Sequence, residues 1–248
     1  MMRSPLLTVI AALALVLAAG ALVVHFVIPP NAGGGSRADV EALRAQLSAL
    51  KTSGSGLRVG YVNVESAGKV FLNAVSTVSQ SSTAKAQEIV DLQNSYNAGT
   101  VKQDQYDKRL NELNAELADV NISVYVAILD RMIASSSFSD LRSDLRQLRQ
   151  QAQPLVDTAK NLVSTVKGGA MSASEFQTRL SKVQSSFAQL KGYVDQACVV
   201  KIQQAAQKIA ITRGMDLVLL QSNVVLYPRP ATVTDLTEFV KTEIAGYL

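Results

Sequence analysis

The sequence predicts an α+β protein that is mostly α, with long coiled-coil helical hairpins inserted between strands of a small β-sheet body and an N-terminal transmembrane helix ahead of both. Three observations carry that expectation. Aliphatic residues recur at alternating steps of three and four over long stretches, the pattern of helices packed along a narrow seam. Two short apolar runs rich in strand formers, Arg58–Val64 and Met215–Gln221, bracket those stretches. An uncharged run from Leu6 to Ile28 precedes everything, and at about 1.5 Å per residue it matches a hydrocarbon core of roughly 30 Å.

The N-terminal run is read as a transmembrane anchor or uncleaved signal over residues 1–28. Arg3 and the amino terminus supply the positive flank that stays cytoplasmic, which places the rest of the chain on the outer face of that membrane. The rival reading is a signal peptide cleaved beside Ala19-Gly20-Ala21. Residues 29–57 form a linker: Pro29-Pro30 stops the helix, and three glycines between Asn31 and Ser36 loosen the chain. Within it Val40, Leu43, Leu47 and Leu50 make a short coiled-coil seam.

Three seams define the helical arms over residues 76–197. The first runs through Tyr106, Leu110, Leu113, Leu117, Val120 and Val124, the second from Leu141 through Leu148 to Val166, and the third from Phe176 through Phe187 to Ala197. The chain also aligns on itself at an offset of 70: Gly99, Tyr106, Arg109 and Leu110 match Gly169, Phe176, Arg179 and Leu180. The repeat unit is a helical hairpin, with tips near residues 97–100 and 167–170 where glycine supplies the left-handed turn that ends a helix. Ser172 offers an N-cap to the following helix, with Glu175 at the capping-box position. The two hairpins join near Ser135–Ser139.

Charge separates the repeats. Residues 80–134 hold five Lys/Arg against eight Asp/Glu, net −3, whereas residues 138–212 hold ten against five, net +5. Arg142, Arg146 and Arg149 share a stripe beside the apolar seam, a candidate contact for acidic clients or anionic lipid, set against the simpler reading of a solvated helix face. Pro154 interrupts the same helix and removes one of its hydrogen bonds.

Residues 58–75 and 198–248 form the sheet-containing body. A helix ends at Arg213-Gly214, Met215–Gln221 is a strand, Ser222-Asn223 a tight turn and Val224–Tyr227 the returning strand. The last helix lies near Thr237–Tyr247, capped by Thr237 or Asp235. Arg58–Val64 has no local partner, so it is expected to pair with this C-terminal hairpin.

Composition excludes most catalytic chemistry. The one histidine, His25, sits in the apolar N-terminal run and the one cysteine, Cys198, lies in a helical pattern, too few ligands or bases for a zinc site or a histidine-based triad. The pairs Glu112 with Glu116 and Asp140 with Asp144 fit solvated helix faces, and Gly33–Gly35 lacks the strand and helix that a phosphate loop needs. Asn121-Ile122-Ser123 matches a glycosylation pattern inside a helix. A net charge of +4 without a concentrated basic, aromatic-interleaved patch gives no nucleic-acid footprint. No catalytic, cofactor or metal site is expected.

The order of parts resembles the Skp/OmpH family of periplasmic chaperones, through RVGYVNV at 58–64, AQKIAITRGMDLVLLQSNVVLYP at 206–228 and VTDLTEFVKTEI at 233–244. The resemblance implies a sheet-built oligomerisation body, a homotrimer, and arms that hold unfolded outer-membrane or other envelope proteins without ATP or any other cofactor. Three departures stand out: the arm hairpin is doubled, the arms are less uniformly basic than is usual in the family, and residues 6–28 are expected to tether the protein to the inner membrane, facing the periplasm, unless cleavage releases it as a soluble periplasmic protein. The alternative function is a membrane-anchored scaffold of the envelope. Exposed apolar surface on the arms favours the chaperone, and buried seams favour the scaffold.

Overall fold

The computed structural model describes residues 58–221 and 233–248. The anchor, the linker with its coiled coil, the Ser222-Asn223 turn and the Val224–Tyr227 strand all lie outside the described residues. The remainder is mostly helical with a small three-stranded parallel sheet. Among the described residues no helix is long and apolar enough to cross a membrane. The chain divides into two compact units, one holding Lys69–Cys198 with Tyr247–Leu248 and the other holding residues 58–68, 199–221 and 233–246 of those described.

In the body unit, strand β1 (Val59–Asn63) is the centre of the sheet, flanked by β2 (Leu217–Gln221) and β3 (Val233–Asp235), both parallel to it. Thus β1 pairs with a strand from beyond the arms, and the arms are an insertion within one sheet. The β3 strand went unread in the sequence because three residues are too few to display an alternation. Helix α6 (Thr237–Ala245) buries Val240 and Ile244, and Leu236 just before it is fully buried. Gly60 permits that packing: a Cβ there would lie 2.5 Å from Leu236 Cδ1. Of the two expected caps, Asp235 Oδ1 accepts the Thr237 N–H at 2.8 Å, while the Thr237 hydroxyl instead accepts Asn63 N–H at 2.9 Å and ties the helix start to β1. Gly246 then caps a helix that ends at Ala245, two residues earlier than expected.

In the arm unit, after the chain leaves α1 (Val64–Asn73), α2 (Ser76–Asn97) and α3 (Gln103–Ala134) form the first hairpin. Helix α4 (Arg142–Lys167) and the arm portion of α5 (Ala173–Thr212) form the second. Both tips close alike, with Gly99 at φ 73° and Gly169 at φ 68°. In each, the glycine N–H bonds a carbonyl three residues back and the next N–H reaches one five back, from Gly99 to Tyr96 and Thr100 to Ser95, and from Gly169 to Val166 and Ala170 to Thr165. That pairing satisfies carbonyls a helix end would otherwise leave open. The hairpins join through Ser135, whose hydroxyl accepts Ser137 N–H at 3.1 Å, and a single 3-10 turn at Ser136–Phe138. Phe138 is fully buried there, edge-on to Phe71 at 6.4 Å. Ser172 caps α5 through Glu175 N–H at 3.3 Å, but the Glu175 carboxylate pairs with Arg179 at 2.6 Å, so the capping box is half made.

The hairpins pack side by side. Ala115, Ala118 and Ile122 of α3 share one apolar cluster with Val156, Ala159, Leu162 and Val166 of α4 and with Phe176, Leu180 and Val183 of α5. A second cluster, of Ile89, Tyr106, Leu110, Leu113 and Leu117, belongs to α2 and α3 alone.

Candidate functional site

The basic stripe is largely engaged within the chain. Arg142 donates to the Ser135 carbonyl at 2.9 Å, closing the junction between hairpins. Arg149 pairs with Asp130 of α3 at 2.9 Å and donates to Gln153 at 3.0 Å. Arg146 is exposed. Of the three, it is the one whose position suits an outside partner.

The opposite charges of the two repeats meet at a second point. Glu116 of α3 is buried and pairs with Lys167 of α4 at 2.6 Å and with Lys85 of α2 at 2.9 Å, and Arg109 stands 4.0 Å away. Burial pushes the Glu116 carboxyl up, but the ammonium groups of Lys167 and Lys85 outweigh it and hold the carboxyl below its usual range. Glu112 is drawn to Arg109 at 3.0 Å. Both carboxylates therefore have structural partners, and charge complementarity helps to hold one hairpin against the other.

Between α3 and α5, Tyr125, Lys191 and Asp195 form a further polar cluster. Lys191 pairs with Asp195 and lies 5.5 Å from the Tyr125 ring centroid, and Phe187 meets that ring edge-on at 5.3 Å. Burial raises the Asp195 carboxyl above its ordinary range despite Lys191 and the Tyr125 hydroxyl. Burial likewise pushes the nearby Cys198 thiol well up, the reverse of what a nucleophilic or metal-binding thiol requires. Sequence reasoning missed this cluster because Tyr125 lies on another helix, far in sequence from Lys191 and Asp195. Asn121, of the glycosylation pattern, accepts the Ser82 hydroxyl at 2.6 Å from within packed helices.

Most of the arm seam residues are buried, with Leu148, Leu155 and Phe187 half-buried. Among its described residues, the large hydrophobic side chains left exposed are Val90 and Tyr193, the latter at 59%. Tyr193 stands at one end of an open groove of about 360 Å³ between α4 and α5, with Pro154 on its opposite wall. The interruption expected at Pro154 is not seen, since α4 runs unbroken through it, but the proline marks this wall in the sequence. The groove itself, which needs two helices, was not marked.

The body exposes more apolar surface. Leu219 and Leu220 of β2 are exposed at 40% and 37%, and consecutive strand residues point to opposite faces. Ile211 is 81% exposed, and Phe239 carries the Arg213 guanidinium 3.3 Å from its ring centroid. An unbroken Leu-Val-Leu-Leu run is typical of a strand covered on both faces, and among the described residues β2 has a strand neighbour on one side only. No group of His, Cys, Asp and Glu suited to a metal ion occurs among the described residues. Comparison with family models, curated proteins and solved structures finds no match to this chain.

Proposed function

We propose that this protein is an ATP-independent holdase of the bacterial envelope, resembling the Skp/OmpH chaperones, in which a sheet body self-associates and helical arms hold unfolded outer-membrane or envelope proteins. The observation that carries this reading is the construction of the body: a central strand from before the arms lies between two parallel strands from after them. The exposed Leu219, Leu220 and Ile211 support self-association, with a homotrimer as the expected assembly. Tethering through residues 6–28 places the arms on the periplasmic side of the inner membrane, and loss of that segment makes the same protein soluble in the periplasm. The role needs no cofactor, nucleic acid or catalytic residue. Clients are held by many weak contacts and leave when their own folding competes.

A specific observation favours a second reading, that of a tethered scaffold. Most of the arm seam residues are buried within one chain and the charges of the two repeats pair across α3 and α4. That leaves less arm surface for clients than a single open hairpin would present.

The test is light scattering during dilution of a urea-denatured outer-membrane β-barrel protein into the full chain held in nanodiscs, with empty nanodiscs as the control. Suppression saturating at a fixed ratio of oligomer to client supports the holdase. Undiminished aggregation with a folded, oligomeric preparation removes it and leaves the scaffold.

A further inference from the structure

The seams that hold the arm unit together differ in composition. Inside the first hairpin the seam joins large side chains, Ile89 with Tyr106, Leu110, Leu113 and Leu117. The second hairpin brings Leu162, Val166, Phe176, Leu180 and Val183 to the cluster that the two hairpins share. The buried residues that the first hairpin adds to it are Ala115, Ala118 and Ile122, of which only Ile122 is large. Alanine contributes far less on burial than leucine does, so the joint between hairpins is the weakest of these seams.

Ionisable groups weaken the outer part of that joint further. Asp119 stands one helical turn from Ala115 and shares its face of α3. It is half-buried, and one of its carboxylate oxygens is sealed from solvent with no hydrogen-bond partner among the described residues. Lys160 of α4 attracts it, but burial outweighs that attraction and pushes the Asp119 carboxyl up. Docking thus strips water from an oxygen that it does not bond again, a cost returned when the hairpins part. One turn farther out Glu116 pairs with Lys167, which is half exposed, and a pair so placed holds weakly.

The base of the joint is built otherwise. Tyr125 of α3 is buried and meets Phe187 of α5 edge-on at 5.3 Å. Asp130 pairs with Arg149 at 2.9 Å, and Phe138 is fully buried at the junction. Pro154 lies in α4 between Arg149 and Lys160, where the contacts of the base give way to those of the outer part. Its missing N–H leaves α4 one backbone hydrogen bond short there.

We propose that the outer part of the second hairpin, beyond Pro154, is a reversible cover: it lifts from α3 while Tyr125, Phe187 and Arg149 stay in place, and the uncovered apolar faces hold an unfolded client chain. The inference rests on the holdase reading and supplies what that reading lacks, because the docked arm closes the surface that a client would need. Opening leaves acidic Glu116 and Asp119 beside the apolar face of α3, and basic Lys160 and Lys167 beside that of α4. A client segment that is apolar and carries either sign of charge therefore finds a matching side.

Distances between spin labels, measured by pulsed electron resonance on the full chain in nanodiscs with Cys198→Ala, read the motion. Labels at exposed Gln87 of α2 and Gln177 of α5 span the outer joint, and labels at exposed Arg131 and Gln147 span its base. The expected result is one distance at the base and two at the outer pair, the second longer by about 10 Å, one helix diameter. Lys167→Glu, which sets a carboxylate against Glu116, should enlarge the longer population about threefold. Asp119→Leu, which replaces the unbonded carboxylate with apolar surface, should shrink it by a like factor, and Asp119→Asn repeats that test with the side-chain shape kept. A single unchanging distance at the outer pair in every variant, or equal separation at both pairs, overturns the cover. Aggregation of the urea-denatured β-barrel protein separates the two claims, with suppression expected to rise in Lys167→Glu and fall in Asp119→Leu. Suppression equal in all variants leaves the holdase and removes the client role of the cover. A cover that moves as expected without suppression in any variant removes the holdase.

Discussion

The two hairpins repeat at an offset of 70 residues and close with the same glycine turn, yet their tips have different surroundings. Gly169 follows a helix whose last turn is docked: Val166 and Phe176 pack with Ala115 and Ala118, and Lys167 reaches Glu116. Glu116 lies thirteen residues into α3 counted from Gln103, so the first hairpin continues about 20 Å beyond the tip of the second. That projecting stretch is a two-helix structure closed by its own cluster. The repeat positions follow the difference. Tyr96 and Tyr106, stacked at 4.4 Å in the projecting tip, are Val166 and Phe176 in the docked one. Tyrosine keeps a polar end for water and for Gln93 and Gln103, while valine and phenylalanine, the latter 1% exposed, fill a three-helix interior. Matching positions of the two hairpins thus carry residues that fit unlike neighbours.

Substitution at those positions tests the contrast most strongly. Phe176→Ala opens a cavity where three helices meet and is expected to cost about 3–5 kcal/mol, measured by urea denaturation. Tyr106→Ala, in a cluster of two helices with solvent nearby, is expected to cost less. Equal costs would mean that the second tip is not docked more deeply than the first.

Next in size is Glu116→Gln, which keeps the shape of the side chain and removes its charge from between Lys85 and Lys167. Because Glu116 is buried but Lys167 is half exposed, the expected loss is about 1–2 kcal/mol, with Lys167→Ala costing less than about 0.5 kcal/mol. Both effects should shrink as salt is raised.

The tip glycines offer a closer comparison. A Cβ at either Gly99 or Gly169 meets nothing within 4 Å, so Gly99→Ala and Gly169→Ala should each cost about 1 kcal/mol from the left-handed backbone alone. Thermal denaturation that separates the pair by more than this would show that the docked tip carries strain the projecting one does not.

The smallest expected effect is a pH slope. The folded-state pKa of Asp195 is raised above its unfolded value, chiefly by burial. Its contribution to stability is therefore fully present below the unfolded pKa and is lost as pH rises through the folded pKa. Relative to Asp195→Asn, the wild-type protein should gain stability as pH is lowered from 7 toward the carboxylate range. A difference that stays flat, or runs the other way, would mean that Lys191 and Tyr125 outweigh burial there.

Much of this architecture could be read from single residues. The tips were legible because a glycine interrupts a strict seam at each, and β1 was assigned a distant partner because no strand lies beside it in sequence. Side-by-side packing was not legible. A seam reveals that a helix has an apolar stripe but not which helix covers it, and the contacting surface of α3 is built from Ala115, Ala118 and Ile122, a stripe in which two small residues give only a weak signal. The Arg142, Arg146 and Arg149 stripe was visible as charge, but a sequence does not show that Asp130 and the Ser135 carbonyl take up two of its members. The candidate groove was visible only as Pro154.

The central position of β1 bears on the order in which the chain acquires structure. Val59 must wait for Leu217 and Val233 before it has a neighbour on either side. At ribosomal rates of roughly 5–20 residues per second that delay is on the order of ten seconds or more. The hairpins, whose contacts are closer in sequence, need no such wait. The sheet thus cannot close before β3 at Val233–Asp235 has been made, and any assembly built on it must come after both hairpins can already have folded.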